Sequence, residues 1–345
     1  MRRFKSASSS NKSKFYRTYR TESLESRRLL AAISSGETIA ASISAAAEVD
    51  EYTFTAAVGE SIWIEAMETA TTNLAPRIQL ISPTNVTLVN VTGAIGNGGI
   101  AANVVAAGTY TIRVTDNTNT NTGAYAVSLA KLGGAQLAGG DGGAITSGEY
   151  RSGTIEAGDI DIFTINVNAG GALGFNVAEL TGQALDFVTG IYGPTGTQLF
   201  QQNGAATVST TLTNVAASGT YYIVVSDLGA NATGTYNLTA VSVPGAQTSD
   251  ADSGALTSGV RRTGTMDAGD IDVYTMTATA GGSLVYSFAE TVTDANFAPG
   301  VHVFSPTGAL LFTDINAIGF ARTIPATVAG TYTFMVFDQF TDALG

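Results

Sequence analysis

The chain has 345 residues, of which 44% are hydrophobic and 13% charged, with a net charge of −12 and no cysteine, which excludes disulfides, thiolate nucleophiles and Cys-bound zinc. Residues 1–34 hold nine Lys and Arg against two acids, so the rest of the chain holds seven bases against 26 acids; a body this acidic repels phosphate backbones and argues against nucleic acid as a partner. No stretch approaches the roughly 18 consecutive apolar residues of a membrane-spanning helix, so no membrane span is predicted.

Residues 1–34 are predicted to be a disordered basic leader. Its first part, positions 1–21, is rich in Ser, Lys and Arg and shows no apolar period. No apolar core follows, so this part does not form a standard signal peptide. Further on, Leu24-Glu-Ser-Arg-Arg-Leu-Leu30 resembles the Leu-Glu-Pro-Arg-x-Leu-Leu motif near the start of many large secreted or surface proteins of planctomycetes and related bacteria, with Ser26 in place of Pro. This resemblance implies export or sorting to the envelope.

One unit occurs three times at a constant spacing. The sequence Gly158-Asp-Ile-Asp-Ile-Phe163, which we name the Gly-Asp corner, returns as Gly269-Asp-Ile-Asp-Val-Tyr274, and a weaker copy, Val49-Asp-Glu-Tyr52, lies one period upstream. The period, from position 158 to position 269, matches the size of a β-sandwich domain, whereas solenoid repeats have about 20 to 50 residues. We therefore predict three domains, named repeats 1, 2 and 3, at residues 35–133, 134–245 and 246–345.

Alternating residues predict about eight short strands in each repeat. In repeat 2, Phe163, Ile165 and Val167 alternate with polar residues, which is the period of a strand with one buried face. A Gly-Gly turn separates this strand from a second alternating run, so the two are predicted to form a hairpin. A Pro-Thr-Gly sequence, which suits a type I turn, follows a later strand. The pattern predicts an all-β chain of three tandem β-sandwiches.

Repeat 3 is predicted to lack its last strand. Gly345 corresponds to Gly234, immediately before the closing strand that carries Tyr236 in repeat 2. The missing strand would leave an unpaired edge. We therefore expect residues 246–345 to be the least stable part of the chain, and a thermal scan that shows three equally stable units would contradict this.

The order of these motifs resembles the bacterial pre-peptidase C-terminal domain. The resemblance covers about residues 36–345 and rests, in repeat 2, on the Gly-Asp corner, Gly170-Gly171, Pro194 to Gly196, Ser218 to Tyr221 and Tyr236 to Leu238. It implies a non-catalytic jelly-roll module that serves in secretion, in adhesion to matrix or carbohydrate, or as a spacer. It also implies that some members bind calcium between the segment before the first strand and the corner.

Calcium is therefore the predicted cofactor, and its ligands would be carboxylate and carbonyl oxygens, six to eight in number. The candidate ligands are Asp250, Asp252, Asp270 and Asp272 in repeat 3, and Asp141, Asp159 and Asp161 in repeat 2; repeat 1 offers Glu48 and Asp50 alone. The alternative is that each Asp caps the local backbone at a bend. The spacing Asp250-x-Asp252 makes repeat 3 the best candidate for a site.

The residues predict no enzyme. His302 is the only histidine, so neither a Ser-His-Asp centre nor a histidine-bound metal centre can be built elsewhere. Paired carboxylates for glycoside hydrolysis remain formally open. However, the acids that recur lie at the turns of a unit present three times, and a threefold active site is improbable.

Trp63, the one tryptophan, is predicted to face outward, because Ile62 and Ile64 share the inward parity of the strand. An exposed aromatic ring on a sandwich face can stack on sugar rings, which makes Trp63 the candidate ligand-binding residue. The alternative is that Trp63 covers the neighbouring repeat.

Two functions follow. The first is a secreted or cell-surface array with a structural or adhesive role, stabilised by calcium and contacting an extracellular polysaccharide or a matrix or envelope protein. The second is a set of accessory modules of an exported peptidase or glycosidase whose catalytic domain lies outside this chain.

Overall fold

The computed structural model describes residues 28–70, 72–92, 100–134, 141–180, 184–229, 232–248, 252–291, 297–315 and 319–339. Over these ranges the chain forms strands β1 to β25 and no α-helix, which confirms the all-β prediction. It follows that the described ranges contain no helix that is long and apolar enough to cross a membrane.

Repeat 1 is a sandwich of two sheets. Its front sheet, which contains the corner strand, has the order β1-β3-β8-β5-β6, and its back sheet has the order β2-β9-β4-β7. The strands are β1 Arg28–Ala32, β2 Glu37–Ile43, β3 Val49–Ala56, β4 Ser61–Glu68, β5 Pro76–Ile81, β6 Thr87–Thr92, β7 Ile100–Asn103, β8 Gly108–Asp116 and β9 Gly123–Leu132.

Repeat 2 has the same arrangement. Its front sheet has the order β10-β12-β17-β14-β15 and its back sheet β11-β18-β13-β16. The strands are β10 Gly143–Ala144, β11 Glu149–Ile155, β12 Ile160–Val167, β13 Ala172–Glu179, β14 Phe187–Tyr192, β15 Gln198–Ala205, β16 Thr207–Thr213, β17 Gly219–Asp227 and β18 Gly234–Val243. The predicted hairpin is not observed, because β12 and β13 belong to opposite sheets and β12 pairs with β17.

Repeat 3 keeps the front sheet, in the order β19-β20-β25-β22-β23, but its back sheet is reduced to β21-β24. Its strands are β19 Gly254–Ala255, β20 Ile271–Ala278, β21 Gly282–Ala289, β22 Pro299–Phe304, β23 Leu310–Ile315, β24 Gly319–Ala326 and β25 Gly330–Asp338. In repeats 1 and 2 the closing strands β9 and β18 lie at the centre of the back sheet. In the described part of repeat 3, no strand occupies that place beside β21.

The first strand begins inside the predicted leader. Strand β1 pairs in parallel with β3, with Arg28 opposite Val49. The same short parallel strand opens repeats 2 and 3, as β10 beside β12 and β19 beside β20. The leader prediction therefore does not hold for Arg28–Ala32, because the second half of the sorting-like motif supplies the edge strand of the first front sheet.

Each repeat has its own core between its two sheets. The core of repeat 1 is built around Tyr52, Tyr110 and Tyr125, and that of repeat 2 around Phe175, Tyr221 and Tyr236, all at most 1% exposed. In repeat 3 several core aromatic residues, such as Tyr274, Tyr286 and Phe288, are half-buried. A sandwich with a two-stranded back sheet therefore shields its core less completely.

Candidate functional site

The junction between repeats 1 and 2 is a second kind of core. The outer face of the back sheet of repeat 1 packs on the outer face of the front sheet of repeat 2, so that both faces of these strands are buried. This cluster consists of Trp63, Ala130 and Leu132 from repeat 1 and Ile160, Ile162, Val188, Tyr192, Tyr222 and Val224 from repeat 2. Burial of apolar area on this scale stabilises the junction without any linker contribution.

The junction between repeats 2 and 3 follows the same plan. Its cluster joins Ala172, Val241 and Val243 of repeat 2 to Ile271, Val273, Phe304, Met335 and Phe337 of repeat 3. Gly174 occupies the position that Trp63 has in repeat 1, and a β-carbon at Gly174 would lie 2.1 Å from Met335 Cε. A small residue on one side thus makes room for a large residue on the other, as close packing requires.

In the part of the chain that the structure describes, no other repeat packs on the outer face of the front sheet of repeat 1, and this face is polar. Glu51 and Arg113 stand opposite each other on β3 and β8, where repeat 2 has Ile162 and Val224. Arg113 Nε donates to Glu51 Oε1 at 2.9 Å, and Nη2 lies 2.8 Å from the same oxygen. The same fold position is therefore apolar in repeat 2, where repeat 1 covers it, and charged in repeat 1, where Glu51 is 3% exposed and the Arg113 side chain is 33% exposed.

The glycine of the Gly-Asp corner lies against the preceding repeat. Gly158 has φ +75°, and a β-carbon there would lie 3.2 Å from Ala126 Cβ of repeat 1; at Gly269, with φ +80°, it would lie 2.4 Å from Asn237 O of repeat 2. The equivalent Ala47 of repeat 1 keeps a positive φ of 62° although it carries a side chain. The turn itself therefore tolerates a side chain, and the close approach of the preceding repeat is what favours glycine at Gly269.

The glycine of the Pro-Thr-Gly turn also lies close against the preceding repeat. A β-carbon at Gly196 would lie 2.4 Å from Leu132 O of repeat 1, and one at Gly308 would lie 2.4 Å from Pro244 Cδ of repeat 2. Repeat 1 has Asn85 at this position, with φ 62°. The two motifs that best mark the repeats in the sequence thus form the contacts between repeats.

The first acid of the corner caps local and neighbouring donors. Asp159 Oδ1 accepts from Ile160 N at 2.9 Å and from Thr38 Oγ1 of repeat 1 at 2.5 Å. In repeat 3, Asp270 Oδ1 accepts from Ile271 N at 2.7 Å and from Thr239 Oγ1 of repeat 2 at 3.4 Å. Burial, together with the charge of nearby Asp141, raises the pKa of Asp159.

The second acid of the corner accepts from the tyrosine of the closing strand. Tyr125 Oη donates to Asp50 Oδ2 at 2.7 Å, and Tyr236 Oη donates to Asp161 Oδ2 at 2.6 Å. Burial raises the pKa of Asp161 well above its usual value, and neighbouring Asp159 raises it further. In repeat 3, Asp272 Oδ2 accepts from Tyr274 Oη at 3.3 Å.

The acids before the first strand also accept from the protein. Asp141 Oδ2 accepts from the backbone N–H of Thr154, and Asp252 Oδ2 from that of Thr265 at 2.7 Å. Asp250 lies outside the described residues. Across the ranges that the structure describes, no three His, Cys, Asp or Glu side chains are grouped as a metal site requires. Each described corner acid therefore accepts hydrogen bonds from the protein's own donors, as the capping alternative requires, and calcium binding stays a prediction.

Trp63 faces outward from repeat 1, as its parity predicted, but it is only 2% exposed because repeat 2 covers it. Its ring meets that of Tyr192 edge to face, with centroids 6.2 Å apart. This placement supports the alternative in which Trp63 covers the neighbouring repeat, and it leaves no open ring face for a sugar.

A buried acid that sequence reasoning missed lies beside Trp63. Glu65 is 1% exposed, and its Oε1 accepts from Trp63 Nε1 at 3.1 Å and from Ser226 Oγ of repeat 2 at 2.9 Å. Burial raises the pKa of Glu65 to about 8. The equivalent residue at the second junction is Asn176, whose Nδ2 donates to Asp270 O at 2.9 Å. The signal that could have found Glu65 is its outward parity, shared with Trp63.

The remaining candidate, His302, lies on β22 and faces the second junction. Its ring contacts Phe337, with centroids 4.7 Å apart, and Phe304. Burial lowers the pKa of His302 to about 4, so the ring is neutral at pH 7. His302 is thus a packing residue, as expected for a lone histidine on a strand.

A cleft of about 580 Å³ opens at the edge of the first junction. Its lining combines Trp63 and Tyr192 with the polar side chains of Ser61, Asn103, Thr195, Thr197 and Gln198, and none of its lining residues is charged. Ser61 Oγ bridges the two repeats through a bond to Gly196 O at 2.9 Å.

Residues 48–116 match the family model of the bacterial pre-peptidase C-terminal domain. The match covers β3 to β8 of repeat 1 and supports the resemblance there. Domains of this family are non-catalytic modules associated with secreted peptidases. For repeats 2 and 3, and for the sorting-like motif, membership of a family stays a prediction.

Two solved structures resemble part of the chain. One is PliG of Aeromonas hydrophila, a periplasmic inhibitor of g-type lysozyme, at 11% identity and TM-score 0.26, over 31% of this chain and 99% of that one. The other is the pre-peptidase C-terminal domain of the Bacillus anthracis collagenase, at 19% identity and TM-score 0.25, over 29% of this chain and 95% of that one. No curated protein matches the sequence.

Proposed function

We propose that the chain is a rigid, non-catalytic array of β-sandwich modules in a secreted or cell-surface protein. The observation that supports this proposal most directly is that both junctions are buried apolar clusters rather than exposed linkers. Packed junctions hold successive domains at a fixed angle, whereas exposed linkers leave domains free to move. The Gly-Asp corner then acts as a spacer element that sets the angle between repeats.

The location outside the cytoplasm rests on the domain family matched by residues 48–116 and on the sorting-like motif at Leu24 to Leu30. The cysteine-free, acidic composition suits a sandwich that needs no disulfides because each repeat buries its own core.

Rigidity can be measured by distances between spin labels, because a chain without cysteine accepts labels only where a cysteine is introduced. The exposed residues Val86, Leu199 and Leu311 lie in repeats 1, 2 and 3, and pairs of Cys variants at these positions report each junction. We expect one narrow distance distribution for each pair. Broad distributions would contradict a rigid array.

The alternative is that the modules serve an exported peptidase or glycosidase encoded in the same gene. In that case the rigid array is retained and holds the catalytic domain at a distance. The gene sequence that follows the codon for Gly345 discriminates the two, since a hydrolase domain supports the accessory role and further sandwiches or an anchor support the structural one.

An adhesive role is favoured by the uncharged cleft at the first junction. Hydroxyl and amide side chains at the wall of this cleft suit a neutral oligosaccharide, which presents hydroxyls. Titration with neutral trisaccharides, followed by Trp63 fluorescence, tests this role. We expect saturable changes that the Gln198→Ala variant weakens, and an unchanged spectrum across glucose and N-acetylglucosamine trisaccharides would argue against adhesion through this cleft.

Calcium stays a prediction. The mutual repulsion of Asp141, Asp159 and Asp161, which contributes to the raised pKa values of the last two, is what a bound cation would relieve. Calorimetry of the whole chain should then show binding below millimolar concentrations that the Asp159→Asn variant removes. A flat thermogram would leave the capping role as the full account of these acids.

A further inference from the structure

We propose that the first junction is a pH-sensitive joint, in which the carboxyl group of Glu65 must carry a proton for repeats 1 and 2 to remain packed together. This goes beyond the proposed function, which requires a packed junction but assigns it no response to conditions.

The geometry places Glu65 where ionisation is costly. Its carboxyl group lies in the apolar layer between the two repeats, 1% exposed. Oε1 accepts one hydrogen bond from each repeat, from Trp63 Nε1 and Ser226 Oγ. Oε2 is buried and has no hydrogen-bond partner among the described residues. A neutral carboxyl suits this setting, because an ionised one would need donors on both oxygens.

Among the described residues, the charged groups that act on Glu65 are acidic. The ionisable groups near enough to act on it are Asp159, at the start of β12, and Asp227, at the end of β17, and both are acidic. On its own sheet, the residue opposite Glu65 on β9 is Ser128. Ionisation of Glu65 would therefore add a negative charge beside two acids.

The direction of the effect follows from proton linkage. In the packed junction the pKa of Glu65 is about 8, whereas a solvated glutamate has a pKa near 4.3. Between about pH 4.3 and about pH 8, opening of the junction therefore releases a proton from Glu65. The equilibrium constant for opening should rise about tenfold for each pH unit in that window, so the joint is tightest at acidic pH and loosens as the pH rises toward 8.

The second junction provides a control within the molecule. Asn176, which replaces Glu65 there, is a neutral amide whose Nδ2 donates across the junction to Asp270 O. It has no ionisation in this pH range. The response should therefore be confined to repeats 1 and 2.

The test uses the full chain and its only tryptophan, which lies in the joint itself. Acrylamide quenching of Trp63 should increase at least about twofold between pH 5 and pH 9 in the native protein, while far-ultraviolet circular dichroism stays constant. The Glu65→Gln variant, which keeps the shape and removes the proton, should show weak quenching at every pH. The distance distribution of the spin-label pair Val86→Cys and Leu199→Cys should broaden at pH 9. That of the pair Leu199→Cys and Leu311→Cys should not.

Three outcomes would overturn the proposal of a pH-sensitive joint. They are quenching of the native protein that does not change with pH, a pH dependence of quenching in Glu65→Gln that matches the native one, and strong quenching of Glu65→Gln already at pH 5. The proposed array fails separately, if the spin-label distances are already broad at pH 5. If Glu65→Gln does not fold, the Ser226→Ala variant replaces it, and removal of one hydrogen bond across the joint should then move the opening midpoint to lower pH.

Discussion

The front sheets of repeats 1 and 2 have the same strand order, but their outer faces differ in chemical character. In repeat 1 that face presents the ion pair of Glu51 and Arg113, and in repeat 2 it presents Ile162 and Val224 to the back of repeat 1. The difference teaches that each repeat carries two kinds of information. Inward residues specify the sandwich, and outward residues specify whether a described neighbouring repeat packs on that face.

The largest expected effect on stability comes from placing a glutamate, the residue that repeat 1 has at position 51, at the equivalent position 162 of repeat 2. The Ile162→Glu variant buries an unpaired charge in the first junction, where Ile162 is 2% exposed, and should cost about 3–5 kcal/mol. Urea unfolding followed by Trp63 fluorescence measures the loss. The reverse change, Glu51→Ile, removes the buried acid of an ion pair but leaves an Arg113 side chain that is 33% exposed to solvent, and should cost about 1–3 kcal/mol. Equal losses from the two variants would refute the distinction between the faces.

The next effect tests the close approach at the Gly-Asp corner. Gly269→Ala adds a β-carbon 2.4 Å from Asn237 O at a φ of +80°, so left-handed strain and overpacking should together cost about 2–4 kcal/mol. Gly281→Ala is the matched control, because its φ is +84° and nothing lies within 4 Å. It should cost about 1 kcal/mol, from strain alone. Calorimetric unfolding compares them, and similar losses would show that the corner does not depend on the preceding repeat.

The features of the repeats that depend on local sequence pattern could be predicted from the sequence. Strand alternation, the threefold period and the parity of Trp63 follow from residues along the chain, and the structure has an all-β chain with Trp63 facing outward. What covers Trp63 could not be predicted, because that depends on how two surfaces far apart in the sequence fit together. The apolar residues at outward positions, such as Ile162 and Val224, were the available signal, since an uncovered face would be polar there.

The hairpin prediction failed for a related reason. The Gly170-Gly171 turn was assigned to a hairpin by its sequence, but the chain crosses there from the front sheet to the back sheet. A short turn between two alternating runs is compatible with both arrangements, and the choice depends on pairing with distant strands. Likewise, the role of Glu65 depends on Ser226, which lies in another repeat.

A smaller effect on stability is expected when the tyrosine of the closing strand, Tyr236, loses its hydroxyl, and Tyr221 on β17 provides the comparison. Tyr236→Phe removes the donor to Asp161 Oδ2 at 2.6 Å in a buried setting, and should cost about 1–3 kcal/mol because the carboxyl loses its partner. Tyr221→Phe removes a bond to Ala217 O that is partly solvated, and should cost about 0.5–1.5 kcal/mol. Thermal unfolding ranks the two variants. A larger loss for Tyr221→Phe would exclude a special role for the closing tyrosine.

The smallest effect on stability is also the most direct test of the outward face as an assembly signal. The double variant Glu51→Ile and Arg113→Val gives repeat 1 an apolar front, at a cost of less than about 1 kcal/mol in unfolding free energy, because both partners of the ion pair are replaced together and neither charge is left unpaired. The new face should make the chain associate, since an exposed apolar patch on a sheet favours contact between molecules. Sedimentation velocity at increasing concentration should show heavier species for the variant than for the native chain. Association of the native protein to the same extent would mean that the ion pair does not keep this face free.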